Sequence, residues 1–340
     1  MKILVALSGG IDSTAVAYML KEKGHECEAV YMKLHDSPSY HEANIKRVKE
    51  ICKLLDINYR ILDLTKDFKK AVYEPFIQSY RNGETPNPCV LCNRYIKFGV
   101  LAEYAKENGF DKLATGHYAS ICGDFICEAK DKSKDQSYFL ADIKKEFIPL
   151  LLFPLSDTTK EQIKEYISNI PQIKSYKKQK ESQEICFVDS TYIETLNEHI
   201  STDKKGNVLD KDGNIIGEHR GYMHYTIGQR KGFNVFVAHE PHYVISTNPQ
   251  KNEITVGKKE ELYEKDFLVK DINMFIDDKT FECSVKIRYR SPKMPCSVRI
   301  LKDKRTQVIL KEPLLSIAKG QLAAFYDGEK LIGGGWITNR

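Results

Sequence analysis

Residues 7–13 read Leu-Ser-Gly-Gly-Ile-Asp-Ser and directly follow an apolar run at residues 3–6. The apolar run predicts a buried strand, and the glycine pair predicts a tight turn because glycine adopts backbone angles that other residues avoid. Apolar residues at helical spacing after the turn predict a helix, for which Ser8, Asp12 and Ser13 are suitable N-cap residues. Such a junction gathers backbone N–H groups at a positive helix end, where a phosphate group binds readily.

The spacing inside this loop distinguishes it from two common nucleotide-binding loops. A Walker loop requires G-x-x-x-x-G-K-[ST] and a dinucleotide-binding fold requires G-x-G-x-x-G, and residues 7–13 match neither. The string S-G-G-x-D-S resembles the loop of the ATP pyrophosphatases, which cleave ATP between the α and β phosphates and adenylate a substrate. A Ser-Gly turn that only caps a helix is the alternative, which the ordered succession of strand, glycine pair, Asp12 and helix disfavours.

Composition is typical of a folded protein from a reducing compartment. The 340 residues favour about two domains of about 150 residues each, and the 41% of hydrophobic residues can form sizeable cores. We expect a cytoplasmic protein with no membrane partner, because no apolar run approaches a membrane span and no signal peptide precedes the first strand. Nine cysteines without a secretory signal favour reactive or ligand roles. The net charge of +5 is a weak indication of a polyanionic partner.

The first half of the chain alternates strand and helix patterns, which predicts a parallel sheet with helices on both faces. Ligands bind such sheets beyond the carboxyl ends of the strands, where the glycine loop lies. Predicted strands occupy residues 3–7, 29–34, 60–64 and 112–115, and predicted helices occupy residues 13–23, 42–55, 69–80 and 95–107.

Past about residue 190 the helix pattern fades, and short strands separated by turns such as 210–214 and 326–329 take over. This change predicts small β domains after an α/β domain. We therefore expect an α/β protein whose parallel-sheet catalytic domain, of the ATP pyrophosphatase type, spans residues 1–195. A small central β domain at 196–262 and a β-barrel-like domain at 263–340 follow it.

Residues 85–94 read Thr-Pro-Asn-Pro-Cys-Val-Leu-Cys-Asn-Arg, and the two prolines stiffen this loop. Asn93 is a candidate cap for the following helix, which would place Cys92 beside a helix N-terminus. That location lowers the pKa of a thiol from about 8.5 and favours the nucleophilic thiolate, and Arg94 adds positive charge. A second cysteine motif, Ser-Gln-Glu-Ile-Cys-Phe, contains Cys186.

Three kinds of chemistry compete for the Cys-x-x-Cys pair. Half of a zinc site is disfavoured because no second C-x-x-C or H-x-x-x-H pair follows at finger spacing. A thioredoxin-like redox pair is disfavoured because the flanking pattern does not fit that fold. Sulfur chemistry is the third possibility. The remaining cysteines have no motif around them, and packing is the expected role for Cys27, Cys52, Cys122, Cys127, Cys283 and Cys296.

Motifs along nearly the whole chain resemble those of the tRNA-specific 2-thiouridylases, which thiolate the wobble uridine of certain tRNAs. The matching stretches keep the order that the family has, and several are too long for a chance match. They are residues 6–13, 85–98, 114–119, 134–140, 182–188, 225–232, 320–326 and 333–337.

The resemblance implies ATP and Mg²⁺, the anticodon arm of tRNA as substrate, and a cysteine desulfurase or sulfur carrier protein as sulfur donor. Cys92 would be the nucleophile, and Cys186 would carry sulfur as a persulfide. ATP would contact Ala6, Leu7, Ser8, Gly9, Gly10, Ile11, Asp12, Ser13, Met32 and Gly116. The target base would meet Asn87, Pro88 and Cys89, and further tRNA contacts would come from His117, Lys134, Asp135, Gln136, Arg288, Tyr289 and Gln321.

One residue departs from the family pattern. Many members carry Asp where this chain has Cys89, and a thiol cannot replace that proposed acid/base at neutral pH, although Cys89 stays a candidate catalytic residue. Cys89, Cys92 and Cys186 could instead hold an iron–sulfur cluster on three thiolates, with the fourth iron site open to sulfide. Because clusters usually take four cysteines, this route and a cluster-free persulfide route both stay open.

Residues 282–290 alternate between apolar and polar side chains, which predicts a strand with one packed face and one basic exposed face. The basic face, which includes Lys286, Arg288 and Arg290, suits a phosphate backbone, and a merely solvated face is the alternative. Between residues 221 and 232, aromatic residues beside cations are suited to stack on flipped bases.

Two other functions remain alternatives. Another adenylating, tRNA-modifying ATP pyrophosphatase would not need Cys92 and Cys186. A non-catalytic RNA-binding protein predicts damage in the glycine loop, whereas all of its Ser, Gly and Asp residues are intact.

Overall fold

The computed structural model describes residues 1–174, 185–188, 190–236, 240–303 and 305–338. Its contacts divide the chain into two compact units. The first unit comprises Met1–Val72, Cys89–Gln183 and Tyr326–Gly333, and the second comprises Tyr73–Pro88, Glu184–Phe325 and Gly334–Arg340. Residues 182–184 of the motif that precedes Cys186 lie outside the described residues.

A parallel sheet forms the centre of the first unit, which confirms the predicted α/β class. The strands of this unit up to residue 152 are β1 (Lys2–Ala6), β2 (Glu26–Lys33), β3 (Asn58–Asp63), β4 (Lys112–Ala114), β5 (Ser120–Cys122), β6 (Phe125–Cys127) and β7 (Leu151–Leu152). The sheet order is β3-β2-β1-β4-β7, and every neighbouring pair is parallel. Ile3, Leu4 and Val5 of the central strand are fully buried, as expected for a strand covered on both faces.

Helices alternate with these strands, as the sequence pattern predicts. They are α1 (Ile11–Glu22), α2 (Pro38–Leu55), α3 (Thr65–Phe68), α4 (Glu74–Arg81), α5 (Pro88–Leu91), α6 (Leu101–Glu107) and α7 (Lys160–Ser168). Of these, α4 belongs to the second unit. Short 3₁₀ turns at Ser137–Leu140 and Lys145–Leu150 complete the first unit. Apolar residues of β1, α1, α2 and α7, such as Val5, Val16, Ile51 and Ile163, pack in one buried cluster.

Two predicted helices contain π-helical segments, whose turns are wider than those of an α-helix and which the sequence pattern does not predict. The helix predicted at 69–80 begins as a π-helical segment, Lys69–Tyr73, before α4. The helix predicted at 95–107 already begins at α5 and runs through a second π-helical segment, Cys92–Val100, into α6. Such segments often lie at functional sites.

The wide turn before α6 depends on Gly99. Phe98 leaves helical geometry there, with φ of −114° and ψ of 21°. A Cβ atom on Gly99 would lie 2.9 Å from the carbonyl oxygen of Arg94. Contacts of that length are repulsive, so any side chain at position 99 would force the backbone to move.

The second unit contains a small sheet and most of a closed barrel, of which residues 326–333 belong to the first unit. The sheet has the order β10-β9-β8-β12-β11, with β8 (Gly206–Leu209), β9 (Ile215–His219), β10 (Asn234–Val235), β11 (Tyr243–Asn248) and β12 (Glu253–Gly257). The barrel strands are β13 (Tyr263–Met274), β14 (Thr280–Lys286), β15 (Met294–Ile300), β16 (Thr306–Leu315), β17 (Leu322–Asp327) and β18 (Lys330–Thr338). Their order is β13-β16-β15-β14-β17-β18, and pairing of β13 with β18 closes the ring. The predicted β-rich second half, with its barrel, is thereby confirmed, whereas the exact domain limits stay predictions.

The helix α8 (Tyr192–Asn197) opens the β-rich part of the second unit, and Thr191 caps it by accepting a hydrogen bond from the Glu194 N–H. Leu196 packs in an apolar cluster with Phe76, Ile77 and Met223. No helix among the described residues is both long and apolar enough to span a membrane.

Two cysteines that were expected only to pack are bonded to each other. Cys122 on β5 and Cys127 on β6 form a disulfide within the hairpin that these strands make. In the barrel, Cys283 and Cys296 are cross-strand partners with a sulfur–sulfur distance of 3.5 Å. The sequence does not reveal these pairs because each depends on strand register.

We expect Gly99→Ala to destabilise the protein by about 1–3 kcal/mol, because the added methyl group overlaps the Arg94 carbonyl and cannot be relieved by a rotamer change. The midpoint of urea unfolding, followed by circular dichroism, measures the effect. Lys106→Ala on the exposed face of α6 is the matched control and should change stability by less than about 0.5 kcal/mol. Equal midpoints for the two variants would contradict the assigned role of Gly99.

Candidate nucleotide-binding and thiol site

The glycine loop joins the carboxyl end of β1 to the start of α1. Gly9 adopts a φ of +79°, and a Cβ there would lie 3.2 Å from the carbonyl oxygen of Asn44. The hydroxyl groups of Ser8 and Ser13 lie 3.1 Å apart, and the Ser13 hydroxyl also donates to the Gly10 carbonyl at 3.1 Å. The loop is therefore a compact turn held by its own serines.

The N-terminus of α1 carries no side-chain cap, which corrects the prediction that Ser8, Asp12 or Ser13 would cap it. Gly10 is the N-cap residue and has extended backbone angles, φ −87° and ψ 162°. Ser8 and Ser13 are engaged within the loop instead. An uncapped helix start leaves first-turn N–H groups for a ligand, and the helix dipole favours an anion there.

A buried ion pair joins this loop to α7. The Lys160 ammonium contacts both carboxylate oxygens of Asp12 at 2.6 Å, with 5% of its side chain exposed against 30% for Asp12. The Tyr118 hydroxyl donates to the same carboxylate at 3.0 Å, and the Lys160 ammonium lies 5.8 Å from the centre of the Tyr118 ring. Asp12 thus receives hydrogen bonds from two other parts of the chain.

Lys160 is the site residue that the sequence analysis missed. It is the first residue of α7, whose N-cap Thr159 forms a capping box with Gln162. A lysine at the start of a helix opposes the helix dipole. The Thr-x-x-Gln capping box marks the start of the helix in the sequence. A lysine directly after its Thr is unfavourable there, and this was the signal that Lys160 had a specific partner.

Gly116 and Met32 also lie at this edge of the sheet. A Cβ on Gly116 would lie 3.0 Å from the backbone nitrogen of Ser13 and 3.2 Å from the Asp12 Cβ, so only glycine allows this approach. Met32 is the half-buried next-to-last residue of β2. Met32 thus lies at the carboxyl end of β2 and Gly116 just after β4, the two strands that flank β1, as the proposed contact with ATP requires.

His117 is buried behind the loop. Its Nδ1 atom lies 2.8 Å from the Thr115 hydroxyl, and its ring packs against Phe98 and Phe153 at centroid distances of 5.4 and 6.1 Å. Burial, assisted by the Lys97 ammonium, holds the pKa of His117 well below its usual value. His117 is therefore neutral at pH 7, and its predicted contact with tRNA stays a prediction.

Residues 134–136 form a turn that packs against Tyr118. The Gln136 side chain accepts a hydrogen bond from the Tyr118 N–H at 3.0 Å. The buried Asp135 carboxylate accepts from the Ala129 and Ser137 N–H groups at 3.0 and 3.3 Å, so this side chain shapes the turn. Lys134 is half-buried at the start of the turn.

Cys92 does not lie at a helix N-terminus, which corrects the expected cause of its reactivity. Helical structure already begins at Pro88, and the Asn93 amide donates to the Phe139 carbonyl at 3.1 Å instead of capping a helix. Cys92 is 7% exposed. Burial raises the pKa of the Cys92 thiol to about 11, against the opposing charge of Lys97.

Cys89 lies three residues earlier and is exposed. Crowding by protein atoms raises the pKa of its thiol, and the Lys97 ammonium opposes that rise. Cys186 is exposed and belongs to the second unit. Of the three thiols proposed for sulfur chemistry, the first unit thus supplies Cys89 and Cys92.

In the second unit, the proline loop contacts the barrel. The Gln321 amide donates to the carbonyl oxygens of Thr85 and Pro86 at 3.0 and 3.3 Å. Gly320 has a φ of +82°, and a Cβ there would lie 2.9 Å from the Thr85 carbonyl oxygen. Gln321 therefore positions the loop that contains the buried residues Asn87 and Pro88.

The predicted basic strand face differs from the structure at Arg288. Strand β14 ends at Lys286, and the Arg288 guanidinium donates to the carbonyl oxygens of Ile227 and Ser316 at 3.3 and 3.0 Å. The arginine thus connects segments of its own unit and is not a freely exposed cation. Tyr289 is half-buried, and Arg290 is exposed in the turn that follows.

Three family models match the chain in succession. They are described as the tRNA methyl transferase HUP domain at residues 1–190, the tRNA methyl transferase PRC-barrel domain at 193–258, and the aminomethyltransferase beta-barrel domain at 264–337. Curated tRNA-specific 2-thiouridylases are similar over the whole chain. The protein of Campylobacter jejuni is 54% identical and that of Campylobacter lari 55% identical, each over 99% of this chain and 100% of the relative.

The chain belongs to the tRNA-specific 2-thiouridylase family. A solved 4-thiouridine synthetase–RNA complex with bound ATP is 21% identical, with a TM-score of 0.35, and the match covers 58% of this chain and 50% of that chain. A match with so low a TM-score supports no conclusion about this chain. The family membership rests on the full-length relatives.

The iron–sulfur alternative stays a prediction. Among the described residues, no three His, Cys, Asp or Glu side chains form a group that could hold a metal ion. Its proposed ligands are divided between the units, with Cys89 and Cys92 in the first and Cys186 in the second. We derive no step through a cluster.

At pH 7, we expect iodoacetamide to label Cys92 at least about a hundredfold more slowly than an ordinary exposed thiol, because a raised pKa leaves little thiolate. The rate should rise about tenfold per pH unit between pH 7 and 10. Peptide mass spectrometry follows the labelling, with the exposed Cys186 as the internal reference. A rate that levels off below pH 9 would contradict the burial effect.

Proposed function

We propose that this chain catalyses ATP-dependent 2-thiolation of the wobble uridine of tRNA. The main support for this proposal is the similarity of the whole chain to curated tRNA-specific 2-thiouridylases, at 54–55% identity. The uncapped helix after the glycine loop supports the ATP-dependent half of the reaction. The two cysteine motifs support the sulfur-transfer half.

The first step is adenylation of the uracil C2 oxygen. That oxygen attacks the α phosphorus of ATP, pyrophosphate leaves, and the oxygen becomes part of a leaving group that departs as AMP. First-turn N–H groups of α1 stabilise the negative charge on the phosphate. Lys160 adds a cation that is already fixed beside the loop by Asp12.

Asp12 is the acidic side chain of the loop that would hold Mg²⁺, because carboxylate oxygens are ligands that the ion prefers. Both of its oxygens contact the Lys160 ammonium at 2.6 Å, so the ion would have to share Asp12 with that lysine. When bound, Mg²⁺ would supply positive charge during phosphoryl transfer.

The second step transfers sulfur to C2. The terminal sulfur of a Cys186 persulfide attacks C2, AMP leaves, and the Cys92 thiolate then attacks the Cys186 sulfur, which releases 2-thiouridine and forms a Cys92–Cys186 disulfide. Alternatively, Cys92 attacks the persulfide first and releases hydrosulfide, which attacks C2. Both routes end in the same disulfide, which a thiol reductant reopens by exchange.

The proposed partners follow from this chemistry. The substrate is the anticodon arm of tRNA, contacted by residues 87–89, His117, residues 134–136, Tyr289 and the loop that Gln321 positions. A cysteine desulfurase or a sulfur carrier protein supplies the persulfide sulfur to Cys186. These assignments agree with the exposure of Cys186.

We expect Cys92→Ser and Cys186→Ser each to abolish 2-thiouridine formation, because each removes a thiol that must accept or deliver sulfur. Liquid chromatography–mass spectrometry of digested tRNA, after incubation with ATP and a sulfur donor, measures the product. Cys283→Ser in the barrel is the matched control and should keep full activity. Thiolation by either single mutant at the wild-type level would refute the thiol mechanism and leave another adenylating tRNA-modifying enzyme as the alternative.

Lys160→Met should weaken ATP binding at least about tenfold, because it removes the fixed cation and leaves Asp12 to repel the phosphates. Isothermal titration calorimetry with ATP and Mg²⁺ measures the affinity. Lys164→Met, one turn further along α7, is the control and should bind ATP normally. Unchanged affinity in the Lys160 variant would place the phosphates away from this ion pair.

A further inference from the structure

The segment that carries Cys89 and Cys92 also carries a lysine with no assigned role. Lys97 is half-buried in the π-helical segment before α6. In the described part of the chain, no carboxylate forms an ion pair with Lys97 and no hydrogen bond engages its ammonium. A half-buried lysine buries its stem while its charged end stays hydrated or paired, so this ammonium is left to solvent or to a ligand.

The backbone places Lys97 on the face of the two thiols. Cys89 and Cys92 are three residues apart in a helical stretch, so they are neighbours on one face. Lys97 follows Cys92 by five residues inside the π-helical segment Cys92–Val100, and five residues is the hydrogen-bonding interval of a π-helix. Position 97 therefore lies near the face of position 92, whereas an α-helix with 3.6 residues per turn would rotate it away.

His117 lies on the same side of the segment. Its ring packs against Phe98, the residue next to Lys97, at 5.4 Å. The Lys97 charge lowers the pKa of Cys89, Cys92 and His117 alike. The helical register and the contact between Phe98 and His117 thus place Lys97 on the side of the segment that carries the two thiols.

The neighbouring Arg94 does not serve the same purpose. Its guanidinium donates to the Asp142 carbonyl at 2.5 Å and lies 5.9 Å from the centre of the Tyr95 ring. Because His117 is neutral, Lys97 supplies the positive charge that an anion beside the thiols would meet.

We propose that Lys97, with Cys89 and Cys92, forms a binding site for an anionic sulfur species, either hydrosulfide or the deprotonated end of a persulfide. Lys97 is then a positioning residue that holds this sulfur beside Cys92. The role in the reaction rests on the proposed function, whereas the anion site itself does not. Hydrosulfide is a small, weakly hydrated anion, so an ammonium on the face of two thiols suits it.

A pair of alkylating reagents tests the anion site without tRNA. Iodoacetate is anionic and iodoacetamide is neutral, but both form the same S–C bond with loss of iodide. The ratio of their rates at the exposed Cys89 therefore cancels the intrinsic reactivity of the thiol and reports the local charge. We expect Lys97→Met and Lys97→Gln to lower this ratio about two- to five-fold and Lys97→Arg to preserve it.

Matched controls keep this test specific. Lys106→Met on the exposed face of α6 should leave the ratio at Cys89 unchanged, and the ratio at Cys186 should be the same in every variant. A wild-type ratio in both neutral variants, each shown to be folded by its thermal midpoint, would overturn the proposal.

A second measurement connects the site to the reaction. With sodium sulfide as the sole sulfur source, Lys97→Met should raise the KM for hydrosulfide about two- to five-fold with kcat little changed, and Lys97→Arg should restore it. A lower kcat at constant KM would indicate a structural role and would contradict sulfur binding by Lys97. If the wild-type protein thiolates no tRNA, the proposed function fails, and the labelling ratio still decides whether the anion site exists.

Discussion

The contact between the Lys160 ammonium and the Asp12 carboxylate is the constraint on which the nucleotide site depends. A lysine that is 5% exposed is tolerated only with a charged partner, so α7 must lie where its first residue reaches the glycine loop. Tyr118, which follows β4, contacts the same carboxylate. One acidic side chain thereby connects the ends of three elements at the carboxyl edge of the sheet, and the helix start beside it is left without a cap.

Much of this fold could be predicted from local patterns. The strands at β1 to β4 and the helices α1 and α2 are recognisable because continuous apolar runs and helical periodicity are properties of neighbouring residues. The glycine loop is recognisable for the same reason, since the strand, the turn and the helix start lie within a dozen residues. The change to a β-rich second half also has a local signal, because its short strands are separated by turn sequences such as Asp210–Asn214, where the Asp210 carboxylate accepts backbone hydrogen bonds.

The features that the sequence did not predict depend mainly on contacts between distant residues. Lys160 meets Asp12 across 148 positions, and Arg288 meets the Ile227 carbonyl across 61, so neither partner is visible in the neighbouring sequence. The pKa of Cys92 was misjudged for a related reason, because desolvation by surrounding elements outweighs the local charge. The wide turn at Gly99 also has no periodic signal, since a single inserted residue only shifts the helical pattern.

Cys89 stands where many family members carry Asp, and it lies on the helical face that the proposal assigns to Lys97. This position gives the difference a physical meaning. A carboxylate at position 89, which the family pattern favours, would add a negative charge on the helical face that carries Lys97. A thiol whose pKa is raised stays neutral at pH 7, so Cys89 adds no such charge. In the proposed arrangement, the neutral thiol leaves the positive charge of Lys97 to an external sulfur anion, whereas a carboxylate would compete with that anion.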